Sequence, residues 1–169
     1  ALKVTLVQGN IPQELKLKPE TLSYSIAHYR ELSSSHHDSD LIVWPETGVP
    51  ALKHRVQAAL QPFFLQLQES GAELITGIFV YDFERELYYN SLYKLGSEEV
   101  YSKQHLVPFG EYMPFRGLLE FMNQFVTIPM SDITPAVNVG LMPVAGHTAG
   151  LSICYETAYP SIFRRQLPQ

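Results

Sequence analysis

The chain is poor in cysteine, in basic residues and in long apolar runs, and each shortage excludes a class of protein. Cys154 is the only cysteine among 169 residues, so no intrachain disulfide can form. Twelve lysines and arginines against 17 aspartates and glutamates give a net charge of -5, which argues against a nucleic-acid partner because phosphate binding requires a basic face. No uninterrupted apolar run reaches the roughly 18 residues of a membrane span, so no segment is predicted to cross a bilayer.

Apolar runs of strand length alternate with helical patterns along the chain, which is typical of an α/β domain. The length fits one domain. The predicted strands cover residues 2–8, 41–44, 73–81, 88–95, 100–103, 141–144 and 148–153, and the predicted helices cover residues 19–32, 62–70 and 159–167. Gly71 is the predicted C-terminal cap of the second helix. Residues 104–139 contain no predicted strand, and connections of that length are uncommon unless they are functional.

Three ionisable side chains each lie at the end of a predicted strand: Glu46, Lys103 and Cys154. Sites in parallel α/β sheets assemble at such strand ends, so the three are expected to lie close together. A carboxylate can remove the proton of a thiol, while an ammonium can favour the thiolate and stabilise an oxyanion. Taken singly, each residue also has a plainer interpretation. Glu46 fits a surface acid, Lys103 a solvated hairpin lysine and Cys154 a small buried hydrophobe.

Three segments resemble the catalytic motifs of the carbon–nitrogen hydrolase (nitrilase) superfamily, and they occur in the same order. They are LIVWPETGVP (41–50), YSKQHLVPFGEYMPF (101–115) and LSICYETAYP (151–160). A lone P-E or C-Y-E would be weak, whereas all the motifs in order, with HLVPFGE intact, are specific. The resemblance covers nearly the whole chain and implies a four-layer α-β-β-α sandwich.

Within the superfamily, the chain is similar to membrane enzymes that acylate apolipoproteins rather than to soluble amidases. The runs that carry this similarity are VTLVQGNIPQ (4–13), KQHLVPFGEY (103–112) and ICYE (153–156). It implies acyl transfer from a phospholipid, through a thioester on Cys154, to the N-terminal amine of a diacylglyceryl-cysteine apolipoprotein. It also implies a bacterial inner-membrane location with the catalytic domain on the periplasmic side, and no metal or organic cofactor.

Two other functions stay open on the sequence. A soluble nitrilase-type amidase would hydrolyse a C–N bond with the same three residues, and water would replace the lipoprotein amine. A non-catalytic binding module would keep the fold alone, although intact Glu46, Lys103 and Cys154 count against it.

The resemblance assigns a role to one residue in each motif. Glu46 corresponds to the general base, Lys103 to the group that stabilises the oxyanion, and Cys154 to the nucleophile. Glu111 matches a second glutamate that supports the lysine–cysteine pair, and its alternative is a turn residue after Gly110.

Two supporting residues follow the nucleophile directly. Tyr155 and Glu156 match family positions beside the cysteine. The backbone N–H of Tyr155 is expected to act as a second oxyanion donor.

An apolar segment with a short helical pattern lies at 115–125, inside the long connection. Its large apolar side chains include Leu118, Phe121, Met122 and Phe125. They fit either a helix packed on the core or a lipid-facing arm over the site, which an enzyme that takes substrates from a bilayer would need.

The resemblance also predicts that residues 1–169 are the N-terminal part of a carbon–nitrogen hydrolase domain. The flanking transmembrane helices of the similar enzymes are absent from the sequence, and the later strands of the sandwich would lie beyond Cys154. Sheet edges and an apolar face left without those strands would be exposed.

Overall fold

The computed structural model describes residues 1–16, 19–107 and 133–167. Seven strands are found there: β1 Val4–Leu6, β2 Leu41–Val43, β3 Glu73–Asp82, β4 Leu87–Lys94, β5 Val100–Ser102, β6 Leu141–Val144 and β7 His147–Gly150. Four α-helices accompany them: α1 Gln13–Lys16, α2 Leu22–Ser33, α3 Lys53–Ser70 and α4 Pro160–Gln166. Short 3-10 turns occupy Pro19–Thr21 and Cys154–Ala158.

Five strands form one sheet in the order β1-β2-β3-β4-β5. The first three are parallel because helices connect them, and β4 and β5 follow as antiparallel hairpin strands. Consequently β1, β2, β3 and β5 all run in the same direction, and their carboxyl ends meet at one edge of the sheet. β6 and β7 form a separate two-stranded hairpin.

One side of the five-stranded sheet, here called the outer face, is covered by α2 and α3. Trp44 is at the centre of this layer, fully buried between the rings of Tyr29 and Phe63 at centroid distances of 5.3 and 5.5 Å. Its indole N–H donates to Ser33 Oγ at 2.9 Å, so the polar atom of the ring is satisfied inside the core.

The opposite side, here called the inner face, packs against the β6–β7 hairpin. Side chains alternate along a strand, so Ile42 belongs to the outer-face core while its neighbour Leu41 belongs to the inner-face cluster. Met142 and Val144 of β6 complete this second cluster. Helices, sheet and hairpin therefore form three successive layers, α-β-β, of the predicted sandwich.

The structure confirms the predicted α/β class and corrects one helix and one strand. The strand predicted at 148–153 ends at Gly150, so three residues without strand structure separate it from Cys154. Gly71 caps α3 in the left-handed conformation, with φ 78°, as predicted. The start of that helix was wrongly predicted, because α3 begins at Lys53 and continues through Pro62. A proline inside a helix removes one hydrogen bond, and the buried row from Val56 to Leu67 offsets this loss by packing on the sheet.

None of the helices within the described ranges has the length and hydropathy required of a membrane span.

Candidate active site

Glu46 lies in a tight loop after β2 that is pressed against β3. The N–H groups of Gly48 and Gly77 both donate to the carbonyl of Pro45, at 2.8 and 3.2 Å. Thr47 adopts a left-handed backbone with φ 51°. A side chain at Gly77 would place its Cβ 2.3 Å from the Thr47 nitrogen, so the close approach of loop and strand requires glycine there.

Lys103 follows β5 and is almost completely buried, with 1% of its surface exposed. Its Nζ donates to Glu46 Oε1 at 3.0 Å. Its backbone is held on both sides, since its N–H donates to the carbonyl of Asn90 and its own carbonyl accepts from Ala136. A buried ammonium requires a counter-charge, and the Glu46 carboxylate supplies it.

Cys154 starts the turn after Ile153 and has a left-handed φ of 51°. A non-glycine residue in that region is strained, and such strain is concentrated at functional sites. The residue is exposed, and the Glu46 side chain and the backbone N–H of Tyr155 both lie close enough to the thiol to influence its pKa.

The environment of Cys154 favours the protonated thiol. Partial desolvation of the sulfur is the largest cause that raises its pKa, and the negative charge of Glu46 raises it further. The ammonium of Lys103 and the N–H of Tyr155 act in the opposite direction. The thiol therefore rests protonated against a carboxylate that can remove its proton.

The structure thus brings Glu46, Lys103 and Cys154 together at the carboxyl edge of the sheet. The Glu46 carboxylate is common to both pairs, since it accepts a hydrogen bond from the ammonium at 3.0 Å and its negative charge raises the pKa of the thiol. The described part of the chain holds no group of three or more histidine, cysteine, aspartate or glutamate side chains placed to bind a metal ion. The arrangement fits nucleophilic catalysis by a thiol beside a base and a fixed positive charge.

Asn90 is a site residue that the motifs did not identify. It is buried on β4, opposite Phe79, and its Nδ2 donates to Glu46 Oε1 at 2.7 Å. The same oxygen accepts from Lys103, so two donors fix one oxygen of the carboxylate. The available signal was an asparagine inside a strand of aromatic and aliphatic residues, a position where asparagine is unfavourable without a partner.

Glu156 is completely buried beneath the turn that carries the nucleophile. Its Oε2 accepts hydrogen bonds from the Ile153 N–H and the Tyr101 hydroxyl, both at 2.7 Å. Burial raises the pKa of the Tyr101 hydroxyl, and the hydrogen bond to Glu156 raises it further, so Tyr101 stays a donor at neutral pH.

The second oxygen of Glu156 connects the turn to the segment after β5. Oε1 accepts from the backbone N–H groups of Gln104 and His105, at 2.6 and 3.2 Å. These residues follow Lys103 directly. One buried carboxylate therefore fixes the backbone of the lysine segment relative to the backbone of Cys154.

Tyr155 presents its ring to solvent, with 43% of its surface exposed. The ring stands edge-on to Tyr159, whose ring stacks on His105 at 4.0 Å. The backbone N–H of Tyr155 lies close enough to the Cys154 sulfur to lower the pKa of the thiol, which is compatible with its predicted use as an oxyanion donor.

The remaining predicted residues lie outside the described part of the chain. They are Glu111, Leu118, Phe121, Met122 and Phe125.

Comparison with known proteins gives the same family throughout. The family model for carbon–nitrogen hydrolases matches residues 3–167. An apolipoprotein N-acyltransferase of Methylococcus capsulatus is 37% identical over 171 residues, covering 99% of this chain and 34% of that protein. An apolipoprotein N-acyltransferase of Pseudomonas syringae is 40% identical over 94% of this chain and 32% of its own length. The chain therefore spans about a third of the length of these curated relatives.

Solved structures show the same fold at low sequence identity. A carbon–nitrogen hydrolase from Helicobacter pylori superposes with a TM-score of 0.58 at 21% identity, covering 96% of this chain and 55% of that one. Nit3 of Saccharomyces cerevisiae, a member of branch 10 of the nitrilase superfamily, gives a TM-score of 0.55 at 17% identity, with 95% and 58% covered.

Proposed function

The chain belongs to the carbon–nitrogen hydrolase family, and on that premise we propose that it is the acyl-transferring part of an apolipoprotein N-acyltransferase. Cys154 would accept an acyl group from a phospholipid and pass it to the N-terminal amine of a diacylglyceryl-cysteine apolipoprotein. The observation that carries the proposal is the hydrogen bond of 3.0 Å between the buried Lys103 ammonium and the Glu46 carboxylate, with both groups close enough to Cys154 to influence the pKa of its thiol. Relatives 37–41% identical to it are named apolipoprotein N-acyltransferases, which supports N-acylation of an apolipoprotein acceptor.

In the first half-reaction, Glu46 takes the thiol proton as the Cys154 sulfur attacks the ester carbonyl of the phospholipid. A C–S bond forms, and the carbonyl oxygen becomes an oxyanion that the Lys103 ammonium and the Tyr155 N–H stabilise. Collapse of this intermediate breaks the ester C–O bond. Glu46 returns the proton to the departing alkoxide, so a lysophospholipid leaves and the acyl group stays on sulfur.

In the second half-reaction, the neutral α-amine of the acceptor attacks the thioester carbonyl. Glu46 takes a proton from that nitrogen while the same two donors stabilise the new oxyanion. The C–N bond forms, the C–S bond breaks, and the proton passes from Glu46 to the Cys154 sulfur. The enzyme returns to its resting thiol, and no redox step or external proton is required.

The other residues of the site have supporting roles in this proposal. Asn90 orients the Glu46 carboxylate, and Glu156 sets the distance between the lysine segment and the nucleophile turn. Glu111 is proposed to support the lysine–cysteine pair.

Both substrates reside in a bilayer, so we place the enzyme at the bacterial inner membrane with its site on the periplasmic side. An apolar arm that includes Leu118, Phe121, Met122 and Phe125 would then face lipid.

The test is a burst assay on the complete gene product with a phospholipid whose transferred acyl chain is labelled. Wild-type protein should carry one labelled thioester and release it to an acceptor lipopeptide. Cys154→Ala and Cys154→Ser should form neither thioester nor product, because alanine lacks a nucleophile and a serine hydroxyl is far less acidic than a thiol.

Three outcomes decide the proposal. Label bound covalently to the Cys154→Ala protein would contradict the mechanism. Fatty acid released at the same rate with and without acceptor would indicate a hydrolase that transfers the acyl group to water. Label that reaches the amine only when Cys154 is present would support the acyltransferase.

A further inference from the structure

A second lysine contacts the proposed base from outside the sheet. Lys16 ends the short helix α1 and is half-buried, and its Nζ donates to the backbone carbonyl of Glu46 at 2.8 Å. Its position in the sequence is 30 residues before Glu46, so the contact depends on the tertiary fold. The motifs that identified the other site residues gave no indication of it.

The Glu46 carbonyl is held by two donors at once. Lys16 Nζ lies on one side and the Thr47 hydroxyl on the other, at 2.8 and 2.7 Å. The peptide unit they hold joins Glu46 to Thr47, whose left-handed φ of 51° is unfavourable for a β-branched residue. Two donors on one carbonyl therefore stabilise a backbone conformation that would otherwise relax.

The same peptide unit sets the direction of the Glu46 side chain. The carboxylate accepts hydrogen bonds from the Lys103 ammonium and the Asn90 amide, and for the proposed reaction it also has to reach the Cys154 thiol. A rotation of the Glu46 backbone would move the carboxylate away from all three. The hydrogen bond from an ammonium to a neutral carbonyl is charge-assisted and stronger than one between neutral groups, and it is partly shielded from water. Burial lowers the pKa of Lys16, whereas the negative charge of Glu46 raises it.

We propose that Lys16 is a positioning residue for Glu46. It contacts the backbone of the base and no reacting atom, and it acts by keeping the carboxylate in line with the thiol. The inference rests on the proposed role of Glu46 as the base. Because Glu46 acts in both half-reactions, loss of Lys16 should lower kcat and leave the KM for phospholipid unchanged.

The experiment compares three variants in the complete gene product. Lys16→Met keeps the length of the side chain but removes the donor and the charge, while Lys16→Arg keeps both. Lys53→Met is the matched control, because Lys53 is also partly buried and pairs with Glu98 at 3.0 Å away from the site. Lys16→Met should slow single-turnover thioester formation by about 10- to 100-fold, the scale of a misplaced catalytic group. Lys16→Arg should recover most of the rate, and Lys53→Met should match wild type.

A double-mutant cycle separates positioning from a general structural effect. In a Glu46→Gln background, Lys16→Met should cause no further loss of rate, because the group that Lys16 positions is already gone. Full activity of Lys16→Met would overturn the inference, and so would an additional loss in the Glu46→Gln background. If Lys16→Met does not fold, Lys16→Gln takes its place in the same cycle. Wild-type activity of Glu46→Gln itself would instead contradict the proposed function, so the two failures are distinguishable.

Discussion

The two faces of the five-stranded sheet bury different kinds of side chain. On the outer face, Trp44 and its ring neighbours fill a core in which apolar contact is the main stabilising term. On the inner face, the buried groups include the ammonium of Lys103 and the carboxylate of Glu156, each with hydrogen-bonding partners around it. Buried charges of this kind stabilise little by themselves, because desolvation opposes their attraction. The comparison indicates that stability depends mainly on the outer face and chemistry on the inner one.

Removal of a large outer-face ring should give the largest effect on folding. Phe63→Ala should lower the free energy of unfolding by about 3–5 kcal/mol, because it leaves a cavity against Trp44. The rate of Cys154 alkylation in the protein that remains folded should not change. Hydrogen exchange of peptides from α3 measures the first quantity and mass spectrometry of the Cys154 peptide measures the second.

The matched control is the exposed ring of Phe83, 68% of whose surface is accessible. Phe83→Ala should change the free energy of unfolding by no more than about 0.5 kcal/mol. If Phe63→Ala altered Cys154 reactivity as strongly as it altered stability, the division between the two faces would be wrong.

One methyl group added behind the Glu46 loop should have the second-largest effect of these predictions. It should lower the reaction rate more than the stability of the fold. Gly77→Ala would put its Cβ within 2.7 Å of Glu46 Cα and within 2.6 Å of the Pro45 carbonyl. The loop must shift, and a displacement of about 1 Å at a catalytic group costs roughly 100-fold in rate. Single-turnover thioester formation is the measurement.

Gly150→Ala serves as the control, because the nearest atom to its Cβ is the flexible end of the Gln166 side chain. It should keep the wild-type rate. Equal rates for wild type and Gly77→Ala would mean that the Glu46 loop tolerates displacement, contrary to a positioned base.

The smallest expected effect is a shift in the titration of Cys154. Desolvation and Glu46 raise the pKa of the thiol, and Lys103 lowers it. The alkylation rate of the folded protein should therefore rise at higher pH than that of an unstructured cysteine peptide. Glu46→Gln removes a negative neighbour and should move the midpoint to lower pH, while Lys103→Met removes a positive neighbour and should move it to higher pH.

Measurement of the alkylation rate against pH with a neutral reagent gives both shifts. A cysteine peptide of the same local sequence provides the reference. Shifts of the same sign in the two variants would contradict the opposing influence of Glu46 and Lys103 on the sulfur.

Most of the outer face was predictable from sequence, because apolar periodicity follows directly from which side of an element is buried. The start of α3 was not, since Pro62 is a helix-breaking signal and tertiary packing overrides it. On the inner face, strand ends and motifs identified Glu46 and Lys103, whereas the motif alone identified Cys154, because β7 ends at Gly150. They did not identify Asn90 or Lys16, because those contacts depend on cross-strand register and on tertiary packing, which no local pattern encodes.

The contacts around Glu156 also set an order of events when the chain is made. Lys103 is separated from Glu46 by 57 residues, and Glu156 from Tyr101 by 55. At about 5–20 residues per second, a ribosome needs roughly 3–11 s to pass from Tyr101 to the carboxylate that fixes the turn. The base and its counter-ion thus leave the ribosome before the thiol. The proposed nucleophile is consequently translated after the proposed base, and a chain interrupted before Cys154 lacks that nucleophile.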